Sequence, residues 1–259
     1  MRHIPRKRFG QNFLTDQAVI DAIVTTVDPR PDDRMVEIGP GLGALTRPLA
    51  ARLRHLHVVE IDRDLAAHLT REFGPQGVTV HQGDVLEFDF SRFGPGLRIV
   101  GNLPYNISTP VLFVLVRVAT LLRDIHVMLQ KEVVDRMAAR PGSSAYGRLS
   151  VMLQYRFQID RVLEVPASAF HPAPRVASAV ARLSPLAPRD PARDEALFAR
   201  IVTGAFSQRR KTLRNTLKPF LKDADFETLQ IDPRARAQEL AVADFVRITN
   251  HVEPDPTAE

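Results

Sequence analysis

Cysteine is missing from this chain of 259 residues. Its absence excludes a disulfide framework, a thiolate metal site and a cysteine nucleophile together, and it fits the reducing compartment of a cytoplasmic protein. Long apolar runs are missing as well: the longest, Val111 to Val116, stops at Arg117, far short of the ~18 residues of a membrane span. The start, Met1-Arg2-His3-Ile4-Pro5-Arg6-Lys7-Arg8, is basic but leads into no apolar segment, so no secretory signal is expected. Nor is there a G-x-x-x-x-G-K-[ST] phosphate loop or a G-x-S-x-G elbow. The 8 histidines show no metal-ligand spacing, and His55 and His57 simply alternate along a strand pattern. A soluble protein without a metal is expected.

What is present is a globular composition, 44% hydrophobic and 25% charged. At this length roughly 70–75% of the unfolded surface can be buried, enough for a full-sized domain plus a small one. Lys+Arg exceed Asp+Glu by 35 − 30 = 5, and the excess is uneven. Arg2, Arg6, Lys7 and Arg8 precede Thr15 without an acid, and Arg209, Arg210, Lys211, Arg214, Lys218 and Lys222 form a second acid-free cluster. Either alone reads equally well as a solvated face. Two in one chain point to a polyanionic partner.

From Arg34 to about Leu129, short β-branched runs (Met35–Ile38, His57–Ile61, Val78–His81, Arg98–Val100, His126–Leu129) alternate with helical patterns such as Leu45, Leu49, Leu53. This predicts βαβ units, a parallel sheet with helices on both sides. Ahead of it, Asp16 is placed to cap a helix with Val19, Ile20, Ile23, Val24 and Val27 on its apolar face. Tyr155–Val165 and Ala177–Leu183 read as two further strands near the sheet edge. The prolines 185, 188 and 191 mark a linker over 185–194. Beyond it come helix signals at Leu197, Ile201, Ala205, at Leu213, Leu217 and at Phe245, Ile248, then an acidic tail expected to fray. The division predicted is 1–184 for the α/β domain and 195–259 for a small all-α domain. Arg210, Arg214 and Lys218 fall at i, i+4, i+8, a basic stripe able to follow phosphates, trusted only as far as Pro219.

Chemistry concentrates at the ends of the predicted strands, where open α/β sheets bind ligands. After the first comes Glu37-Ile38-Gly39-Pro40-Gly41-Leu42-Gly43, whose glycines admit a ligand close to backbone. Glu60, after the second, can accept both ribose hydroxyls of an adenosine-containing cofactor. The turn lacks full G-x-G-x-x-G spacing, which argues against a dinucleotide. Asp84, after the third, can accept from an adenine amino group, which favours S-adenosylmethionine. After the fourth comes Asn102-Leu103-Pro104-Tyr105. Adenine N6 is a poor nucleophile because its lone pair is delocalised into the ring. The Asn102 amide oxygen and the Leu103 carbonyl can each accept one N6–H and draw the nitrogen toward sp³ geometry. Pro104 stiffens the turn, and Tyr105 offers a face to a flipped base, worth ~1–3 kcal/mol of stacking.

With these motifs in order, the chain resembles the ribosomal RNA adenine N6,N6-dimethyltransferase family along essentially its whole length. The likeness extends through Phe9-Gly10-Gln11-Asn12-Phe13-Leu14, Tyr146-Gly147-Arg148-Leu149-Ser150, Phe170-His171-Pro172-Ala173-Pro174-Arg175-Val176-Ala177-Ser178 and Gln208–Asn215. The resemblance implies a Rossmann-like S-adenosylmethionine-dependent methyltransferase sheet, with an antiparallel last strand pair, and an α-helical C-terminal domain. It implies that Asn12 and Leu14 contact the cofactor, that Gly39 and Gly41 admit its methionine end, and that Glu60 holds the ribose and Asp84 the adenine. Asn102, which also lies against the cofactor, would hold the target amino group with Leu103, and Tyr105 and Phe170 would sandwich the base. Without the resemblance, Phe170 reads as a core aromatic.

The implied substrate is a pair of adjacent adenosines in the hairpin loop near the 3′ end of 16S rRNA, met in small-subunit assembly. Arg6, Lys7, Arg8, Arg148, Arg209, Arg210, Lys211, Arg214 and Lys218 are the candidate RNA contacts, and a monomer is expected. Three alternatives compete: a 23S rRNA methyltransferase of the erythromycin-resistance type, a DNA adenine methyltransferase (usually with Pro at the position of Leu103), and a non-catalytic RNA-binding assembly factor.

Overall fold

The computed structural model describes residues 12–187 and 190–252. Arg6, Lys7, Arg8 and the acidic tail from 253 lie outside the described residues. The order is β1 (Phe13–Leu14), α1 (Gln17–Val27), β2 (Met35–Ile38), α2 (Thr46–Ala50), β3 (Leu56–Glu60), α3 (Arg63–Phe73), β4 (Val78–Gln82), β5 (Leu97–Asn102), α4 (Ser108–Arg117) and β6 (Leu122–Gln130). There follow α5 (Lys131–Met137), α6 (Arg148–Gln154), β7 (Phe157–Val165), β8 (Phe170–His171), β9 (Ser178–Pro185), α7 (Glu195–Ala205), α8 (Leu213–Thr216), α9 (Asp223–Leu229) and α10 (Val242–His251).

Among the described residues, seven strands form one sheet in the order β4-β3-β2-β5-β6-β9-β7. The first five are parallel, and β9 pairs antiparallel with both β6 and β7. The chain winds outward from β2 to β4, then returns to lay β5 on the other side of β2. That reversal opens a crevice beyond the carboxyl ends of β2 and β5. Asp16 caps α1 as its sequence position predicts, accepting from the Ala18 and Val19 amides. Ile20, Ile23, Val24 and Val27 of α1 join Leu49, Leu69, Phe73, Val58, Val100 and Met128 in one apolar cluster. Strand residues of the opposite parity, among them Val59, Ile99, Val127 and Leu129, are buried too, as expected of a sheet covered on both faces.

The chain divides into two compact units: residues 1–134 with 157–185, and residues 135–156 with 186–259. The linear division at 184/185 leaves Asp135–Arg156 with the sheet, whereas its side chains find their partners in the second unit. There the Tyr155 and Phe198 rings lie 4.5 Å apart, the Tyr146 and Phe206 rings 6.3 Å apart. The Pro-rich stretch is not a free tether either. The Leu186 amide donates to the Arg156 carbonyl, the Ala192 amide to Tyr155 Oη, and the Arg193 amide to Asn250 Oδ1.

The basic stripe is corrected as well. The helix there is only Leu213–Thr216, because Thr212 is extended (ψ 161°) and Arg210 lies in the preceding turn. Pro219 falls three residues after the helix has ended.

Candidate active site and family

The crevice holds a cavity of about 180 Å³ in the first unit. Its walls are the segments that follow β2, β3, β4 and β5, together with β1: Asn12, Leu14, Gly39, Gly41, Glu60, Asp84, Asn102, Leu103 and Tyr105 all line it. Seven of these nine positions converge because four parallel strands end at one edge, and Asn12 and Leu14 join them from the segment of β1, which pairs with β8 outside that sheet.

Each wall is braced from within. Gly41 has φ +58°, and a Cβ there would meet the Phe13 ring at 3.1 Å, so only glycine keeps both the turn and the space. Its amide donates to Glu60 Oε2 (3.2 Å), and the Asp62 amide donates to Oε1 (2.9 Å). Both oxygens of this buried carboxyl are therefore oriented before any ligand arrives. Burial pushes the Glu60 pKa up and these amide donors oppose it, with a net rise. Asp84 Oδ1 accepts from the Leu86 amide (2.9 Å), which fixes the carboxyl at the end of β4.

The turn after β5 is held at both ends. The Leu103 amide donates to the Met128 carbonyl on β6, and the Pro104 carbonyl accepts from the Ile107 amide and from Ser108 Oγ. Asn102 Nδ2 donates to the Asn12 carbonyl at 3.2 Å. That bond uses one of the two amide N–H groups, and the amide oxygen beside it is an acceptor only.

Three residues here escaped sequence reasoning. Glu37, 2% exposed, lines the cavity floor and accepts from Thr46 Oγ1 at 2.6 Å. Burial, with Glu60 nearby, pushes its pKa up to about 8 despite the Thr46 bond. Its signal was an acid inside an otherwise apolar strand. At Gly101 a Cβ would stand 2.5 Å from the Ile38 carbonyl, so this glycine lets β2 and β5 close up at the crevice. Ser178, the last residue of the Phe170–Ser178 segment, shares a hydrogen bond with Tyr105.

Phe170 departs from expectation. It is 4% exposed, pairs with Leu14 across β1 and β8, belongs to the apolar cluster, and does not line the cavity. The geometry is that of the core aromatic. Of the candidate RNA contacts, Arg148, Arg209, Arg210, Lys211, Arg214 and Lys218 are exposed in the second unit. Arg209 donates to the Ser144 carbonyl, and Arg214 is paired with Asp223 at 3.0 Å. Among the described residues no helix is long and apolar enough to cross a membrane.

A parallel sheet closed by an antiparallel pair, with a glycine turn and an acid at successive strand ends, defines a Rossmann-like methyltransferase. Its particular family follows from comparison: the model of the family described as ribosomal RNA adenine dimethylase matches residues 2–253, and the chain belongs to that family. Curated relatives named Ribosomal RNA small subunit methyltransferase A include one from Aromatoleum aromaticum, 58% identical over 96% of this chain and 95% of its own. Another, from Nitrosospira multiformis, is 58% identical over 97% of each. Among solved structures, a dimethyladenosine transferase from Plasmodium falciparum superposes with a TM-score of 0.74 at 23% identity, covering 91% of this chain and 95% of that one. The 23S rRNA methyltransferase ErmE gives 0.71 at 26% identity, covering 93% and 99%.

Proposed function

We propose that this protein uses S-adenosylmethionine to dimethylate the N6 amino groups of two adjacent adenosines in the 3′-terminal hairpin loop of 16S rRNA, acting on the small ribosomal subunit or its precursor. The observation that carries the chemistry is the Asn102 amide, anchored through Nδ2 to the Asn12 carbonyl, next to Leu103 on the same cavity wall. Small-subunit specificity is supported by relatives of that name at 58% identity over nearly the whole chain, against 26% for the 23S enzyme.

The residues fit the cofactor. A Cβ at Gly41 would narrow the cradle, and the Glu60 oxygens are set to accept the ribose hydroxyls while retaining their amide donors. Asp84 faces the same cavity for the adenine. When bound, the cofactor supplies an electrophilic methyl group. Asn102 and Leu103 accept the two N6–H bonds and raise the nucleophilicity of N6, while the ring of Tyr105 supports the base. Methylation makes N6 acidic, and its proton leaves to water without a dedicated base. Catalysis is then mainly positioning, which can supply roughly 7–11 kcal/mol of barrier reduction. The base must first be unstacked, at a cost of a few kcal/mol that is least in a loop. The protein is proposed to act as a monomer in the cytoplasm, with Arg148, Arg209, Arg210, Lys211, Arg214 and Lys218 toward the RNA.

The test is to incubate the protein with S-adenosylmethionine and unmodified small subunits, and separately with large subunits, then digest the RNA and analyse nucleosides by mass spectrometry. N6,N6-dimethyladenosine in 16S rRNA alone is the expected result. Product in 23S rRNA would move the protein to the resistance branch. Tight subunit binding with no product would make it an assembly factor.

A further inference from the structure

We propose that Ser178 is a positioning residue for methyl transfer, its hydroxyl fixing the ring of Tyr105 as the platform on which the target base rests. The proposal rests on the functional reading above and assigns a role to a residue outside the cavity wall.

The Tyr105 hydroxyl and Ser178 Oγ lie 2.7 Å apart, although the residues are 73 positions apart in sequence. Tyr105 sits in the turn after β5, on the cavity wall. The backbone bonds that hold this turn leave the two side-chain torsions of Tyr105 unfixed, and a ring that rocks is a poor stacking surface. Ser178 is the opposite kind of residue. It is 0% exposed, opens β9, and its backbone is registered with Gln130 of β6 on one side and Val165 of β7 on the other. The adjacent Ala177 carbonyl accepts from the Lys131 amide. A hydroxyl mounted on so constrained a position can hold a ring still. A half-buried phenol needs some partner, but a water molecule would satisfy it without fixing its direction.

The chemistry says where this contact matters most. In the first transfer, N6 carries two hydrogens, and the Asn102 oxygen and the Leu103 carbonyl can each take one. An N6–carbon bond forms as the sulfur–carbon bond breaks, and one N6 proton leaves to water. In the second transfer N6 carries one hydrogen and one methyl group, so one acceptor has lost its bond. Stacking on Tyr105 then carries more of the alignment. Loosening the ring should therefore slow the second transfer more than the first, and the signature is accumulated N6-methyladenosine.

The experiment compares the unmutated protein, Ser178→Ala, Tyr105→Phe and the double variant in single-turnover reactions on unmodified small subunits. Both nucleosides are quantified by mass spectrometry, with cofactor affinity from calorimetry and Tm as controls. Tyr105→Phe keeps the ring and removes the same hydrogen bond from its other end. Expected is a rise of about tenfold in the mono- to dimethyl ratio in each single variant, no further change in the double, and unchanged cofactor affinity and Tm. An unmutated ratio in both singles would overturn the proposal. So would a Ser178→Ala protein with lowered Tm and weakened cofactor binding beside a silent Tyr105→Phe, which would make Ser178 structural. An unmutated protein that makes neither nucleoside would overturn the functional reading and the proposal with it.

Discussion

At the scale of the residue, Glu37 shows how burial turns a familiar side chain into something else. Its carboxyl is pushed up to about 8 chiefly by loss of solvent, so near neutrality it is largely a neutral acid bonded to Thr46. The unfolded chain releases that proton near the ordinary glutamate value, about 4.3. Between there and pH 8 the folded state therefore binds the extra proton, and stability declines as pH rises through the window. Glu37→Gln, which keeps an acceptor for Thr46, should flatten this part of the Tm–pH profile and raise Tm at pH 8.5. An unchanged slope would mean that Glu37 is ionised in the fold. The sequence displayed this residue inside its motif, but a lone acid among apolar neighbours does not reveal whether water reaches it. Phe170 posed the complementary ambiguity, since core and stacking aromatics look alike until burial is known.

At the scale of the element, Arg98 pins together the N-terminal ends of the strands, opposite the site. It is 4% exposed and donates to both oxygens of Asp124 on β6, to Asp33 Oδ2, and to the Val27 and Asp28 carbonyls at the end of α1. Removing a buried cation from paired acids costs about 3–5 kcal/mol. Arg98→Met should lower stability by that order in denaturant titration, with kcat of the remaining folded protein intact; a loss below 1 kcal/mol would contradict the account. The parallel strands were legible because β-branched runs alternate with helical periodicity. The basic stripe was misread because spacing alone does not show that Thr212 is extended. Since α8 is so short and Arg214 is paired with Asp223, Arg210 and Lys211 are the freer cations. Replacing both with alanine should weaken subunit binding and lower the salt slope by about 2, with a smaller effect for Arg214→Ala. Equal effects would mean that the Asp223 pair opens on binding.

At the scale of the molecule, acid sensitivity has an identifiable source in His126. It is buried in β6, both ring nitrogens lack hydrogen-bond partners, and burial is the main cause that brings its pKa down to about 4. Asp124 opposes that shift, while Arg98 and Arg182 add to it. The unfolded state takes up the proton near 6.5 and the folded state only near 4, so stability is lost as pH falls through that interval, by a few kcal/mol. His126→Leu should remove the loss, measured as denaturant midpoints at pH 5 and 7.5; an equal loss in the variant would place the acid sensitivity elsewhere. The division of the chain was less legible than its strands. Asp135–Arg156 has no compositional break, and its place with the later helices depends on ring contacts and backbone bonds made far along the sequence.

The central claim, that the turn after β5 performs N6 transfer, is tested most directly with Asn102→Ala. Single-turnover rate on unmodified small subunits and cofactor affinity would be measured on the same preparation. A rate lower by about 10²–10³-fold, with cofactor affinity changed less than tenfold, is the expected result. A rate near that of the unmutated protein would contradict it, because Asn102 would then not hold the reacting nitrogen.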